Sequence, residues 1–392
     1  MESIKGRAAI TGLGITEMGR IYGHDGVWFA AEAIKLALAD AGLSKDDVDG
    51  LLINKGIGTV GAVGLPLANA LGFKELRLLN HMDAAGSTAS QMVQYAAFAV
   101  AQGMANHVVC VFSDAPLQAP GSSAAAYARA APPRGMASLA PAYGMFSVNA
   151  QYALAARRHM ELYGTTQNQL GAIAVSTRAW ATLNPRAQMR EAIDLEDYHH
   201  SRWIMEPFHL LDCCLVSNGG VAVVVSRAEQ AKDMAQPPVY VWGMGQGHHA
   251  TLSRAGWNPD VHSAGALAKE TAFRMAGVAL ADINVCELYD CYTYTVLVTL
   301  EDYGFCGKGE GGAFVADGRL GPGGALPTNT GGGQLSGYYM WGMTPLSEGV
   351  IQARGQGGER QVSEHDFVLV TGNGGMLNYH GCLILSPNAV SA

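Results

Sequence analysis

The sequence predicts an α/β protein of two repeated halves stacked as five layers, α/β/α/β/α, and three observations carry that expectation. Strand and helix patterns alternate along the chain. The strands are near-continuous apolar runs such as "VAVVVS" (221–226) and "DFVLVTG" (366–372), and the same order of elements occurs twice. Apolar strands of this kind are expected where helices cover both faces of a mainly parallel sheet.

In the first half, "AAITGLGITEM" (8–18) reads as a strand. "VWFAAEAIKLALADAGL" (27–43) follows, with apolar residues at three- and four-residue steps, the period of an amphipathic helix, and Gly42 supplies its stop. A turn and second strand come in "SKDDVDGLLIN" (44–54). The order returns in "PVYVWGMGQGH" (238–248), a helix around "ALAKETAFRMAGVAL" (266–280), and the turn and strand of "ADINVCELYD" (281–290). "ADAGLSKDDVDGLLI" and "RMAGVALADINVCELY" share alanine-glycine, a short polar turn, an aspartate before an apolar residue and a strand, so the chain divides into repeated halves at 1–235 and 236–392. Within the first half, "SDAPLQAPGSSAAAYARAAPPRGMASLAPAYGMF" (113–146) is rich in Ala, Pro, Gly and Ser and reads as an insertion loop over one face, a lid or interface segment.

Composition narrows the function. With 392 residues, 49% hydrophobic and 15% charged, the chain is long enough for more than one packed core. The net charge of −8 argues against a nucleic-acid binder, whose affinity comes from a basic surface. No apolar run approaches the ~18–20 residues of a membrane span. "MESIKGRAAITGLG" lacks a basic segment followed by a long apolar core, so a cytoplasmic protein is expected. The 7 cysteines include the adjacent pair Cys213-Cys214 but no CxxC, which predicts reduced thiols and no zinc site in this chain. The 50 glycines are expected in tight loops around a buried site.

Four motifs carry a resemblance: "DAAGSTASQMVQYAAFAVAQG" (83–103), "ELYDCYTYTVLVTLEDYGFC" (287–306), "GGGQLSGYYMWG" (331–342) and "VTGNGGM" (370–376). In this order they resemble the thiolase superfamily. "HSRWIMEPFHLLDCC" (200–214) and "GFCGKGEGGAFVADG" (304–318) point to its sterol-carrier-protein-type, lipid-transfer branch. The resemblance implies a thiolase fold over almost the whole chain. A working thiolase attacks a thioester with a cysteine at the start of a buried helix, activated by histidine and the helix N-terminus. Here that position falls at or beside Gly86, and no cysteine precedes Cys110. Thr371 stands for the second cysteine, Tyr338-Tyr339-Met340 for glycine-histidine-proline, and Tyr289-Asp290-Cys291-Tyr292 for histidine-aspartate-cysteine-phenylalanine. Covalent acyl transfer is therefore not expected.

The replacement pattern resembles the thiolase-like aldolases that cleave side chains from steroid acyl-CoA thioesters, whose paired pocket tyrosines fall by position on Tyr294 and Tyr339. The resemblance implies a retro-aldol lyase acting on a bulky β-hydroxyacyl-CoA; the alternatives are a non-standard acyltransferase and a non-catalytic acyl-CoA-binding subunit. Such cleavage needs a proton acceptor, an oxyanion hole and a proton donor. Tyr294, expected on the strand beside the pocket, is assigned as base and Tyr339 as donor, with the roles exchangeable. Gly86 and Gly374 lie in turns whose amides can meet an oxyanion. Tyr338, His81 and Asp290 are further substrate-site candidates: His81 for a substrate carbonyl or for packing at a strand end, Asp290 for orienting a neighbour or capping a turn. Tyr289 and Tyr292 are expected to be structural, Cys291 and Cys306 small buried apolar groups, and Asp212-Cys213 architectural. Arg178, Arg186 and Arg190 could meet phosphates or form a solvated helix face. Met340, Trp341 and Met343 suit a large apolar acyl group. CoA enters as the thioester substrate, with no cofactor in this chain. The resemblance further implies a homodimer joined to a small OB-fold, zinc-ribbon partner, any zinc belonging to that partner.

Overall fold

The computed structural model describes residues 4–55, 64–121, 123, 126–127, 134–250 and 261–390. Eleven strands lie among them: β1 (Ala8–Ile15), β2 (Gly50–Asn54), β3 (Leu78–Met82), β4 (His107–Asp114), β5 (Trp203–Met205), β6 (Phe208–His209), β7 (Gly219–Arg227), β8 (Val239–His248), β9 (Val285–Glu287), β10 (Val368–Gly374) and β11 (Tyr379–Ser386). The described helices of eight residues or more are α1 (Gly26–Ala41), α2 (Gly64–Leu71), α3 (Thr88–Ala101), α4 (Val148–Tyr163), α5 (Gln167–Thr182), α6 (Gly265–Ala276), α7 (Thr293–Tyr303) and α8 (Met343–Ala353).

β5 and β6 pair by themselves, and the other strands form one sheet in the order β3-β2-β4-β7-β1-β8-β11-β10-β9. The repeat is visible in that order. β2-β4-β7-β1 of the first half corresponds to β9-β10-β11-β8 of the second, each run beginning with a parallel pair and continuing with two antiparallel ones. The halves join where β1 meets β8, through Ala9–Tyr240 and Ile10–Val239.

The sheet is mixed, which corrects the expectation of mainly parallel strands. Parallel pairing is confined to β2 with β3 and β4, and to β9 with β10. β11 returns from β10 as a hairpin, and β7 likewise runs antiparallel to β4. The apolar runs misled because they report burial on both faces, which this sheet has whichever way its strands run.

α1 packs on β1, β4 and β7, and α6 on β8 and β11, while α3 and α8 each touch strands of both halves and form the middle layer. These contacts give the five layers. Each outer helix sits unusually close to its strand, and the sequence shows why. In β1, a Cβ on Gly12 or Gly14 would lie 2.3 or 2.0 Å from the carbonyl oxygens of Ala37 or Ala33 in α1. In β8, Gly243, Gly245 and Gly247 stand at 2.2, 2.1 and 2.0 Å from the carbonyls of Ala272, Ala268 and Ala264. Glycine every second residue clears one face of the strand, and alanine every fourth residue clears the facing helix. These glycines are mid-strand, so the reading of glycine as turn-forming accounts for only part of their number.

α1 has a local start and stop as well. Asp25 caps its first turn by accepting from the Trp28 amide at 2.8 Å, and Gly42 ends it at φ 72°. The expected insertion, 113–146, contains the end of β4 and a short helical stretch over Gly135–Ser138 and Leu139–Ala142; residues 122, 124–125 and 128–133 of it lie outside the described residues. Among the described residues no helix is long and apolar enough to cross a membrane.

The close packing yields a stability prediction. Gly245→Ala should lower stability by about 1–3 kcal/mol or more, because its methyl meets backbone that cannot rotate away. Gly26→Ala, whose methyl would find its nearest neighbour at 3.8 Å, should be near neutral. Thermal melting of the two variants checks this.

Candidate active site

The site is built around a residue with no side chain. Gly86 lies in a single turn, Ala85–Ser87, that leads into α3. Hydroxyls tie the turn to itself: Ala84 N donates to Thr88 Oγ1 at 2.7 Å, Thr88 Oγ1 donates to the Ala85 carbonyl at 2.7 Å, and Ser87 Oγ to the Ala84 carbonyl at 2.9 Å. A Cβ on Gly86 would lie 2.2 Å from Tyr289 Cζ and 2.3 Å from the Asn373 carbonyl oxygen. Three other glycines approach the same point: a Cβ on Gly342 or Gly372 would be 2.2 or 2.7 Å from the Gly86 carbonyl, and one on Gly374 would be 3.1 Å from the Gly86 amide nitrogen. The volume of a nucleophile at this position is filled by the ring of Tyr289.

Tyr289 follows β9, its amide donating to Thr371 Oγ1 at 3.1 Å, and its hydroxyl stands 3.5 Å from that of Tyr339. Tyr339 is delivered by the glycine run. Gly332 and Gly333 take φ of 90° and 53°, and a five-residue π-helical turn, Gly333–Gly337, follows. The Asp290 carboxylate accepts from the amides of Gln334 at 2.8 Å and Leu335 at 3.4 Å, and a Cβ on Gly333 would fall 2.0 Å from Asp290 Oδ2. Gly333 is thus needed both for its backbone conformation and for the approach of the carboxylate. Tyr338 is extended, at φ −157° and ψ 162°, so consecutive side chains diverge. Tyr338 turns inward to Ser347 Oγ on α8 at 2.6 Å, and Tyr339 turns to Tyr289.

A second support holds Tyr339 from the first half. Its amide donates to Ser217 Oγ at 3.1 Å, and Gln188 Nε2 donates to the same oxygen at 2.7 Å. The amides of Gln188 and Met189 donate to the carbonyls of Gly337 and Ser336, both at 3.0 Å. Arg178 donates to Ser336 Oγ at 2.8 Å and to the Glu191 carbonyl at 3.0 Å. Neither Ser217 nor Gln188 stands out in the sequence; the one local signal is the "SNGG" turn that precedes β7.

Burial dominates the electrostatics. It pushes both Tyr289 and Tyr339 well above the ordinary phenol value of ~10. The hydrogen bond from Tyr339 partly offsets this for Tyr289, whereas the neighbouring Tyr289 raises Tyr339 further. Burial lifts Asp290 to about 7 against the amide hydrogen bonds of Gln334 and Leu335, and lifts Cys291 to about 12. No thiolate is present at this site near neutral pH. Among the described residues no group of three or more His, Cys, Asp and Glu side chains is arranged to hold a metal ion.

Several expected placements change. Tyr294 is not on a pocket strand: β9 ends at Glu287, and Tyr294 lies in the first turn of α7, 1% exposed, its ring edge-on to His159 at 5.7 Å between centroids. Tyr289, expected to be structural, occupies the place beside Tyr339. Tyr338 and Asp290 are engaged by Ser347 and by backbone amides, so they shape the site from behind and do not line it. His81 lies on the outer strand β3, exposed, over Gly64 of α2. Arg178 is a buried brace, neither a phosphate contact nor part of a solvated face. Arg186 and Arg190 border a cleft of about 560 Å³ with Arg354 and Arg360. Gly86 and Gly374 do come together, and Asp212 accepts from Tyr198 and the His209 amide, as an architectural residue would.

Known proteins resemble this chain over nearly its whole length. The family described as thiolase C-terminal domain-like matches residues 245–387. The chain is 37% identical to the steroid side-chain-cleaving aldolase of Thermomonospora curvata, over 96% of this chain and 97% of the relative. It is 38% identical to the 17-hydroxy-3-oxo-4-pregnene-20-carboxyl-CoA lyase of Mycobacterium tuberculosis, over 95% and 98%. The solved structure of the "Ltp2-ChsH2(DUF35) aldolase" superposes with a TM-score of 0.87 at 36% identity, covering 98% of this chain and 99% of that one.

Two outcomes are expected. Gly86→Ala should cost about 1–3 kcal/mol of stability by overpacking, and adding Tyr289→Ala, which empties the contested volume, should recover part of it in a double-mutant melting cycle. Asp290 has a folded pKa raised above its unfolded value, so its contribution is present at acidic pH and is lost as pH rises through about 7. The melting temperature of the wild type relative to Asp290→Asn should accordingly fall between pH 4 and 8.

Proposed function

The chain belongs to the thiolase superfamily, and from that premise we propose that it is a carbon–carbon lyase that cleaves a bulky β-hydroxyacyl-CoA of the steroid side-chain type. The products are a ketone or aldehyde and a short acyl-CoA. The observation that carries the reading is the pair of hydroxyls of Tyr289 and Tyr339, 3.5 Å apart over Gly86. That separation exceeds the usual O–H···O range of ~2.5–3.0 Å, so a substrate oxygen can contact both phenols.

Retro-aldol cleavage uses such a pair directly. The substrate hydroxyl loses its proton, the Cα–Cβ bond breaks, and the electron pair moves into a thioester enolate, which is then protonated at Cα. The substrate hydroxyl passes its proton to the Tyr289 oxygen as Tyr289 passes its own to Tyr339, and Tyr339 delivers a proton to the enolate carbon, so both phenols stay neutral. Tyr289 takes the place that the resemblance gave to Tyr294 because its hydroxyl is the one that stands beside that of Tyr339. The amides around Gly86 and Gly374, at the positive end of α3, receive the enolate oxygen. Each phenol returns to its starting state by exchange with the other, and no covalent acyl-enzyme forms.

The same reading makes CoA a substrate and assigns no cofactor to this chain. It takes the protein as a cytoplasmic homodimer that assembles with a small OB-fold, zinc-ribbon partner carrying any zinc. The second component named in the similar aldolase structure supports the partner.

Incubation with a β-hydroxyacyl-CoA and its β-keto counterpart, with products identified by mass spectrometry, tests the proposal. The hydroxy compound should be cleaved without free CoA. Tyr289→Phe and Tyr339→Phe should each lower kcat by about 10²–10⁴, and Tyr294→Phe should remain within a few-fold of wild type. CoA-dependent cleavage of the keto compound through an ester-linked side chain would overturn it.

A further inference from the structure

Past the pair Ile10–Val239, β1 is no longer bonded to β8, and the cleft of about 560 Å³ lies there, between β1, the loop that follows α5 and the end of α8. Its charge is opposite to that of the whole molecule. On a chain of net charge −8, Arg186, Arg190, Arg354 and Arg360 border it against Asp40 and Glu359. Arg360 is saturated: it holds Glu348 through Nε at 2.8 Å and Nη2 at 3.1 Å, and its Nη1 donates to the Gly357 carbonyl. Asp40 is occupied as well, accepting at one oxygen from the Leu13 amide at 2.8 Å and from Arg354 Nη1 at 2.7 Å. Arg354 Nε donates to the Pro237 carbonyl at 3.1 Å, which leaves Nη2 buried without an acceptor. Arg186 and Arg190 are exposed and enter no ion pair among the described residues. A charged donor buried unmatched, with two unpaired guanidinium groups bordering the same space, calls for a ligand that packs several strong acceptors together, as a phosphate does. The cleft is larger than an inorganic ion needs and has the size of a small-molecule site, ~300–1,000 Å³. Leu13, Ile15 and Ile351 give it an apolar flank.

We propose that this cleft binds an organic phosphate, its phosphate oxygens taken by Arg186 and Arg190 and by Arg354 Nη2 from the floor, its organic part laid on the apolar flank. The inference goes beyond the lyase reading and does not depend on it. The site is separate from the tyrosine pair, since neither Tyr289 nor Tyr339 lines it. It is bonded to the same framework, however. Asn184, in the wall of the cleft, donates through Nδ2 to the Gly331 carbonyl at 2.7 Å, at the start of the glycine run that delivers Tyr339. Between Arg186 and Arg190, Gln188 donates to the Ser217 oxygen that holds the Tyr339 amide. A ligand gripped by these arginines and by Arg354 spans the two halves of the chain.

Titration calorimetry on the full chain, with ADP, inorganic pyrophosphate and adenosine as probes, tests the site. ADP and pyrophosphate should bind, adenosine should not, and added NaCl should weaken both. Arg186→Gln and Arg190→Gln should each weaken ADP about tenfold at an unchanged melting temperature. Arg354→Lys, which keeps a positive charge facing Asp40 and removes Nη2, should weaken it as well. Tyr289→Phe and Tyr339→Phe should bind ADP as the wild type does. Failure of both ADP and pyrophosphate to bind would overturn the proposal, as would wild-type ADP affinity in the Arg186→Gln/Arg190→Gln double variant. Desulfo-CoA separates two sources of the phosphate. If it displaces ADP and is itself weakened in the double variant, the cleft receives the diphosphate of the CoA substrate; if the two bind together, it receives a separate organic phosphate. None of these readouts involves turnover, so a chain that binds ADP here and cleaves no acyl-CoA counts against the lyase reading alone.

Discussion

The bare Cα of Gly86 is the constraint from which the site follows. Because no side chain projects there, the ring of Tyr289 can lie against the turn that opens α3, and the strands carrying Gly372 and Gly374 can close on the same point. A larger residue at position 86 would push out the ring and separate those backbones together. Loss of the sulfur nucleophile and gain of a phenol are then one steric event, seen from its two sides.

Burial is the second organising term. Both phenols and the nearby thiols are held in their neutral forms, and Asp290 is raised to about 7, by loss of solvent more than by any one neighbour. Asp290 tolerates its position because its carboxylate caps a turn that would otherwise leave amides unpaired. The chemistry available to such a site is the passing of protons between neutral groups along fixed contacts, and a dry, crowded pocket favours it over solvated ions.

Much of the architecture was legible in the sequence. Helix period, the glycine that stops α1 and the recurrence of strand, helix, turn and strand are local features, and local features read well. Direction of strand pairing did not, because an apolar strand covered on both faces looks the same whichever way it runs. The exchange of Tyr289 for Tyr294 has a similar origin. In "ELYDCYTYT" tyrosines recur at intervals of two and three, which fit a strand as well as a helix start, and only the end of β9 at Glu287 decides between them. Gly86 and Tyr339 were found because they occupy positions in recognisable motifs. Ser217 and Gln188 were not, since each is a common residue type made significant by partners more than ten positions away.

The seam between the halves has a further consequence. β1 and β8 exchange only the pairs Ala9–Tyr240 and Ile10–Val239, so much of the backbone bonding between the halves runs beside the site, from the amides of Gln188, Met189, Cys214 and Leu215 to carbonyls of the second half. Tyr289 and Tyr339 both belong to the second half, whereas Gly86 and Ser217 come from the first. Tyr339 is braced by Ser217 and Gln188 of the first half while Tyr289 rests on Gly86, so a small slide along the seam would change the spacing of the phenols and the depth of the cradle together. Reach toward the oxyanion and grip on the hydroxyl are thereby mechanically coupled, and a molecule bound across the two halves would tune both at once.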